Sequence, residues 1–392
     1  MARLLGRRGA RYARLGVVLT TLVVTLGACL PLSAPGTTSS VQLVSTSTTG
    51  GWKYDYYRNT AYPCAISGYQ TFVIGTEVGS STTQPRPLWA FMHGGGAGYF
   101  DVNGNPVPGS GQKTEEPASR LLQGITANGV LASIRADAAG FRTLAVSYCS
   151  HDIYSGVNTT DPNNPNTTPE GKPRRTNGAL ATKAAIQFAH SQYPTTKTFL
   201  HGGSAGSVGT FSVAWSMQLQ GIAPAGLVAD ASVVNREAML AAYEQGVCTD
   251  KNDSARAAAI AARVHPDLAN PNNSTDRLVS TGRLTVPIMH VWNHGDKNTC
   301  GAAPVACPLR DGSQLTLGIT DCIHEPLRAA IAAQGPVSRS ANLPVCVDND
   351  PIPDCSVHVV TPKAGLVNTD PASPADYVGA VMTWVRARLA DN

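Results

Sequence analysis

The sequence predicts an α/β fold, a mostly parallel sheet with helices on both faces. Three observations predict it. Strand-like apolar runs alternate with helical stretches from Leu88 to the C-terminus. The runs Leu88–Met92, Phe141–Tyr148 and Leu284–Trp292 are largely apolar, as strands buried on both faces are. A further run, Thr198–His201, passes through Gly202-Gly203-Ser204-Ala205-Gly206 into an apolar, small-residue helical pattern. That is the form of a sharp strand-to-helix turn with a serine at its apex, where a base can reach its Oγ.

The chain opens with a segment separate from this fold. Met1–Ala28 carries Arg3, Arg7, Arg8, Arg11 and Arg14 and no acid. A short apolar run, Leu15–Leu26, follows the arginines and ends at Leu26-Gly27-Ala28-Cys29. A run of twelve residues is too short to span a bilayer, so the segment reads as an export signal (1–28). Its end has the form of a bacterial lipobox, in which Cys29 becomes the lipidated first residue. The alternative is cleavage near Ala28 and a secreted product. The Ser/Thr-rich segment up to Gly51 then reads as a tether (29–51). Setting the five arginines aside takes the formal charge from +4 to −1, which argues against a nucleic-acid partner.

Residues 52–392 read as the catalytic domain. Gly51–Val78 is aromatic and turn-rich, in the manner of short antiparallel strands. Leu88–Met92 is a strand ending at His93-Gly94-Gly95-Gly96-Ala97-Gly98, a glycine cluster that exposes backbone N–H groups. Glu115–Asp137 reads as helical. Asn158–Thr176 is a long Asn/Pro/Thr-rich loop placed to serve as a lid. Asn177–Tyr193 is a helix, Gly226–Asp230 a strand, and Arg236–Gln245 and Ser254–Val264 are Ala-rich helices. Together with their loops these last two suggest a cap over 236–283. Thr316–Gln334 reads as largely helix, Ser356–Val360 follows a Pro/Asp-rich loop, and Tyr377–Leu389 is an amphipathic terminal helix.

The chain has nine cysteines. Without Cys29 an even set remains, which in an exported chain implies disulfides. Proximity favours Cys346–Cys355 and Cys300–Cys307, leaving Cys248–Cys322 and Cys64–Cys149. No Cys-x-x-Cys occurs, so no zinc site is expected, and no cofactor is called for.

A serine hydroxyl is a poor nucleophile until a base takes its proton, and the base needs a carboxylate to orient it. Where the serine stands on a strand-to-helix elbow of this form, the chain order is Ser, then acid, then His. Asp296 sits just past a late strand and is the favoured acid. Asp230 ends an earlier strand and is the reserve. Of the histidines after Ser204, His290 lies within a strand, His294 precedes the acid, His324 falls in a helix and His265 in the expected cap. His358 follows Asp296 in a loop before the last helix, where the base belongs.

These residues carry a resemblance to the pectin acetylesterase and Notum carboxylesterase family, a branch of the α/β-hydrolases. Gly94-Gly95-Gly96 resembles its oxyanion glycines, Gly202–Gly206 its elbow, and Ala229-Asp230-Ala231 its Ala-Asp-Ala strand end. Tyr148-Cys149-Ser150 with Asp152, and Cys355-Ser356-Val357-His358, are similar to its Tyr-Cys and Cys-x-x-His segments. Ala97-Gly98 stand where the family has Trp-Cys, which changes the wall facing Ser204 and leaves Tyr99 to fill part of it. The resemblance implies an α/β-hydrolase-type sheet with a helical and loop cap. It also implies a serine ester hydrolase with oxyanion donors at Gly96, Ala97 and Ala205, and substrate contacts at Tyr99 and Asp152. The expected product is a monomeric, exported enzyme acting on an acylated polysaccharide. A lipase or polyester depolymerase would use the same triad, and a non-catalytic glycan-binding surface lipoprotein is the remaining reading.

Overall fold

Two glycines start the sheet. Gly50 and Gly51, at φ 57° and 77°, form a two-residue hairpin joining β1 (Val41–Thr49) to β2 (Trp52–Pro63). Thus the segment expected as a tether is already strand from Val41. Its Val, Thr and Ser residues pair along the Tyr-rich β2, and β-branched residues suit an extended edge. The computed structural model describes residues 40–392 apart from 97–99, 101–102, 104, 106–113, 162–163, 233–270, 297–302, 310, 347–355, 364, 368–375 and 392. The signal segment, Cys29 and the two expected cap helices lie outside the described residues.

β3 (Tyr69–Glu77) lies antiparallel between β2 and β5 (Arg142–Val146). β4 (Arg86–Met92) is parallel to β5 and to β8 (Thr195–Gly203). The parallel run continues through β9 (Gly226–Asp230) and β10 (Ile288–Asn293) to β13 (Ala341–Val345). The order is β1-β2-β3-β5-β4-β8-β9-β10-β13. From β2 onward this is the α/β-hydrolase arrangement, with β1 added at the edge. Among the described residues two small ribbons lie outside the sheet: β6 (Thr159–Thr160) with β7 (Arg175–Thr176), inside the expected lid loop, and β11 (Pro304–Pro308) with β12 (Gln314–Gly318).

Alternation along each strand separates two cores. Leu88, Ala90 and Met92 face α3 (Gly178–Gln192), α4 (Ala205–Leu219), α5 (Thr275–Ser280) and α6 (Ile319–Gln334). Trp89 and Phe91 face α1 (Ala118–Ile125), α2 (Val130–Ala136) and α7 (Tyr377–Ala390). Of the expected cap, 236–270 lies outside the described residues. α5, from its remainder, places Leu278 and Val279 in the main core.

Cys64 is bonded to Cys149, tying the end of β2 to the segment after β5. Cys307 is bonded to Cys322, which corrects the expected Cys300–Cys307 and Cys248–Cys322 pairings. The physical reason is the β11–β12 ribbon, which carries Cys307 back against the first turn of α6. Cys346 is also disulfide-bonded. Cys248, Cys300 and Cys355 lie outside the described residues.

Candidate active site

The elbow is built by close packing. β8 ends at Gly203, Ser204 stands at φ 54° and ψ −120°, and α4 begins at Ala205. A Cβ at Gly202 would fall 2.1 Å from the Gly206 carbonyl oxygen. One at Gly206 would fall 2.0 Å from that of Met92. Only glycine lets the turn close this tightly, and the turn holds the serine in a conformation that non-glycine residues seldom adopt.

Three predicted residues meet here. His358 Nε2 lies 2.7 Å from Ser204 Oγ, and His358 Nδ1 lies 2.5 Å from Asp296 Oδ2. An ionised carboxylate only accepts, so Nδ1 carries the ring proton and Nε2 presents a lone pair to the serine hydroxyl. Asp296 is buried beyond the end of β10, while His358 and Ser204 keep partial exposure. The acid therefore stays dry and the nucleophile open to a substrate.

Buried polar side chains at three strand ends clamp the loop that carries His358. Asn293, ending β10, donates to the Val357 carbonyl (3.0 Å), and its backbone carbonyl accepts the Asp296 N–H (3.2 Å). Asp230, ending β9, accepts the Thr361 N–H (2.7 Å) and does not contact the His358 ring nitrogens, whose partners are Asp296 and Ser204. On β8, His201 lies between the Trp89 indole N–H (3.2 Å) and Thr361 Oγ1 (2.9 Å). The indole only donates, so His201 Nδ1 is bare and Nε2 carries the proton. Burial pushes the His201 imidazole down to about 3 and the Asp230 carboxyl up to about 6. Asn293 and His201 escaped sequence reasoning. Their one sequence signal is a polar residue at or near the end of an apolar strand.

The glycine loop lies against the nucleophile: a Cβ at Gly94 would fall 2.9 Å from Ser204 Cβ. Side chains take its carbonyls. Tyr154 OH donates to His93 O (3.1 Å), His93 Nδ1 to Gly94 O (2.6 Å), and Tyr148 OH to Gly96 O (2.9 Å). His93 Nε2 in turn faces the buried carboxylate of Glu116 at 2.7 Å. Gly96 sits at φ 66°. The carbonyls of His93, Gly94 and Gly96 are thus each engaged by a side chain. Ala205 opens α4, and the first N–H groups of a helix have no acceptor within it. Ala97 and Tyr99 lie outside the described residues.

Tyr148 and Tyr154 belong to a strained segment in which His151, Ile153 and Tyr154 all have φ between 53° and 57°. Asp152 within it was expected at the substrate. That expectation is corrected: Asp152 is fully buried, and its Oδ2 accepts the N–H of Gly178, the first residue of α3, at 2.7 Å. A Cβ at Gly156 or Gly178 would fall 2.2 Å from its carboxylate, so the acid is walled in by backbone.

No protein-family model matches the chain, and no curated protein matches it. Solved structures are similar at low identity. An S-formylglutathione hydrolase from Agrobacterium tumefaciens is 11% identical, with 77% of this chain and 89% of that one covered and a TM-score of 0.43. A putative acetyl xylan esterase from Bacteroides fragilis is 13% identical over 91% and 84%, with a TM-score of 0.42. A bacterial brefeldin A esterase is 15% identical over 89% and 73%, with a TM-score of 0.40. At such values the likeness says nothing of substrate, and the fold rests on the strand order itself.

Proposed function

We propose that the chain is an exported serine carboxylic-ester hydrolase working through an acyl-enzyme. The observation that carries this reading is the continuous hydrogen-bonded line from Ser204 through His358 to Asp296 at a strained elbow. Ser204 Oγ attacks the ester carbonyl carbon as His358 Nε2 takes its proton. Asp296 holds the tautomer and stabilises the imidazolium. The oxyanion is held by N–H groups of Gly96, Ala97 and Ala205, each donor worth about 3 kcal/mol in the transition state. His358 then protonates the departing alkoxide. Water, deprotonated by the same nitrogen, attacks the acyl-enzyme, and collapse of the second tetrahedral intermediate releases the acid and Ser204.

Ser204→Ala should abolish turnover of a short p-nitrophenyl ester and labelling by a fluorophosphonate probe, with the circular dichroism spectrum unchanged. Residual turnover above a few per cent of wild type would remove Ser204 from the role. The resemblance to pectin acetylesterases favours an acylated polysaccharide as substrate. Acetate release from acetylated pectin or xylan supports that class, and release of long-chain acids from triglyceride or of monomers from a polyester overturns it. Export is favoured by the N-terminal segment and by the disulfides at Cys64–Cys149 and Cys307–Cys322. Lipidation at Cys29 would anchor the enzyme to the cell envelope, and metabolic labelling with a fatty-acid probe, lost in Cys29→Ala, tests it.

A further inference from the structure

Asp230 stands outside the Ser204, His358 and Asp296 line, yet it touches both of that line's moving partners through the backbone. Its carbonyl oxygen accepts the N–H of Ser204 at 2.9 Å. Its carboxylate Oδ2 accepts the N–H of Thr361, three residues beyond His358, at 2.7 Å. The residue is fully buried at the end of β9, between the strand that delivers the serine and the strand that delivers Asp296. The next residue, Ala231, turns the chain at φ 55° and is anchored by its N–H to Val291 O at 2.9 Å.

We propose that Asp230 is a positioning residue that sets the separation of Ser204 from His358 by gripping both segments from one rigid strand end; this rests on the serine reading above. Thr361 is the matching half of the grip. Its N–H goes to Asp230, its hydroxyl oxygen accepts the His201 Nε2–H, and its carbonyl accepts the Val130 N–H at 3.0 Å. The base loop is thereby referred to β9, β8 and α2 at one residue. Serine and base must stay within hydrogen-bond reach through two proton transfers, and loss of about 1 Å in such alignment can cost up to about 100-fold in rate. A carboxylate at this position is costly to bury, and burial pushes its proton affinity up. A group held at such a cost is expected to act in the working site, and its negative charge also attracts His358 when that ring is protonated.

The test compares Asp230→Asn, Asp230→Leu and wild type. The asparagine carbonyl can still accept the Thr361 N–H, whereas leucine fills the volume and accepts nothing. With active sites counted by fluorophosphonate, Asp230→Leu should lose about 10- to 100-fold in kcat with KM within about twofold, and Asp230→Asn should stay within several-fold of wild type. The downfield proton resonance of His358 Nδ1–H, identified by its absence in His358→Gln, should persist in Asp230→Asn and shift or broaden in Asp230→Leu. Unchanged kcat and an unchanged resonance in Asp230→Leu would overturn the proposal.

Native-state hydrogen exchange in wild type needs no variant to fold. The amides of Ser204 and Thr361 should both be strongly protected and exchange at similar rates. A Thr361 amide that exchanges like an open loop would equally overturn the proposal. Neither the resonance nor the exchange depends on ester turnover. An inactive, unlabelled wild type would therefore defeat the hydrolase reading while these two measurements still judge Asp230.

Discussion

His93 shows how much a single side chain can decide near the nucleophile. Both ring nitrogens face oxygen: Gly94 O at Nδ1 and Glu116 Oε2 at Nε2. A carbonyl accepts only, so Nδ1 holds a proton, and the short gap to Glu116 holds another. The ring is thus fixed at both edges and in turn fixes the carbonyl of Gly94, a residue packed against Ser204. Glu116→Gln should lower kcat about 10-fold with little change in KM, because the loss falls on oxyanion alignment rather than on substrate contact. Steady-state kinetics on a short ester check this. Asp230 makes a second prediction at the same scale. Its folded pKa of about 6 lies above the unfolded value of 3.8. Between these values the native state binds more protons than the unfolded state, so stability falls as pH rises through that window. The ionised carboxylate then costs about 3 kcal/mol above pH 6. Urea unfolding should show this pH dependence in wild type, and Asp230→Asn should reduce it by about that amount.

The elbow depends on contacts between elements rather than on any one side chain. Gly206 in α4 lies against the end of β4, where an added Cβ would meet the Met92 carbonyl oxygen. Backbone cannot retreat as a flexible side chain can, so Gly206→Ala should destabilise by about 1–3 kcal/mol and displace the glycine loop that follows Met92. Chemical denaturation with parallel kinetics would show both effects. Elements of this kind were legible in the sequence. The parallel strands are largely apolar, and Gly-Gly-Ser-Ala-Gly stands between such a strand and a helical run. β1 was not legible, because Ser and Thr in an exposed edge strand look like a tether. Nor was β13, where Pro344 breaks the strand pattern, although an edge strand tolerates proline. Ser204, Asp296 and His358 could be placed by the elbow motif, by chain order and by their positions at strand ends and in a loop. Glu116, Asn293 and His201 could not, since each is a single polar residue whose partner is chosen by tertiary packing.

At the scale of the molecule, the two disulfides with both partners described divide the fold unequally. Cys64–Cys149 spans 85 residues and joins the antiparallel edge to the segment after β5 that carries Tyr148 and Tyr154. Cys307–Cys322 spans 15 and fastens a small ribbon to the start of α6. If cross-links act by restricting the unfolded chain, the long loop is worth about 4.5 kcal/mol and the short one about 3 kcal/mol. Replacing Cys64 and Cys149 by Ser should therefore cost about 1.5 kcal/mol more than replacing Cys307 and Cys322, read from denaturant midpoints under non-reducing conditions. Activity should separate the two more sharply than stability. Cys149 follows directly on Tyr148, whose hydroxyl accepts the Ile153 N–H at 2.9 Å while donating to Gly96 O. Loosening that segment frees the glycine loop beside Ser204. The Cys64/Cys149 variant should thus lose kcat even where it remains folded. The Cys307/Cys322 variant should keep its rate per active site, since among the described residues its loop meets the triad at the backbone of Asp296, where Thr320 Oγ1 donates to Asp296 O at 3.5 Å. Equal kcat in both variants would mean that the strained segment holds its shape without the covalent tie.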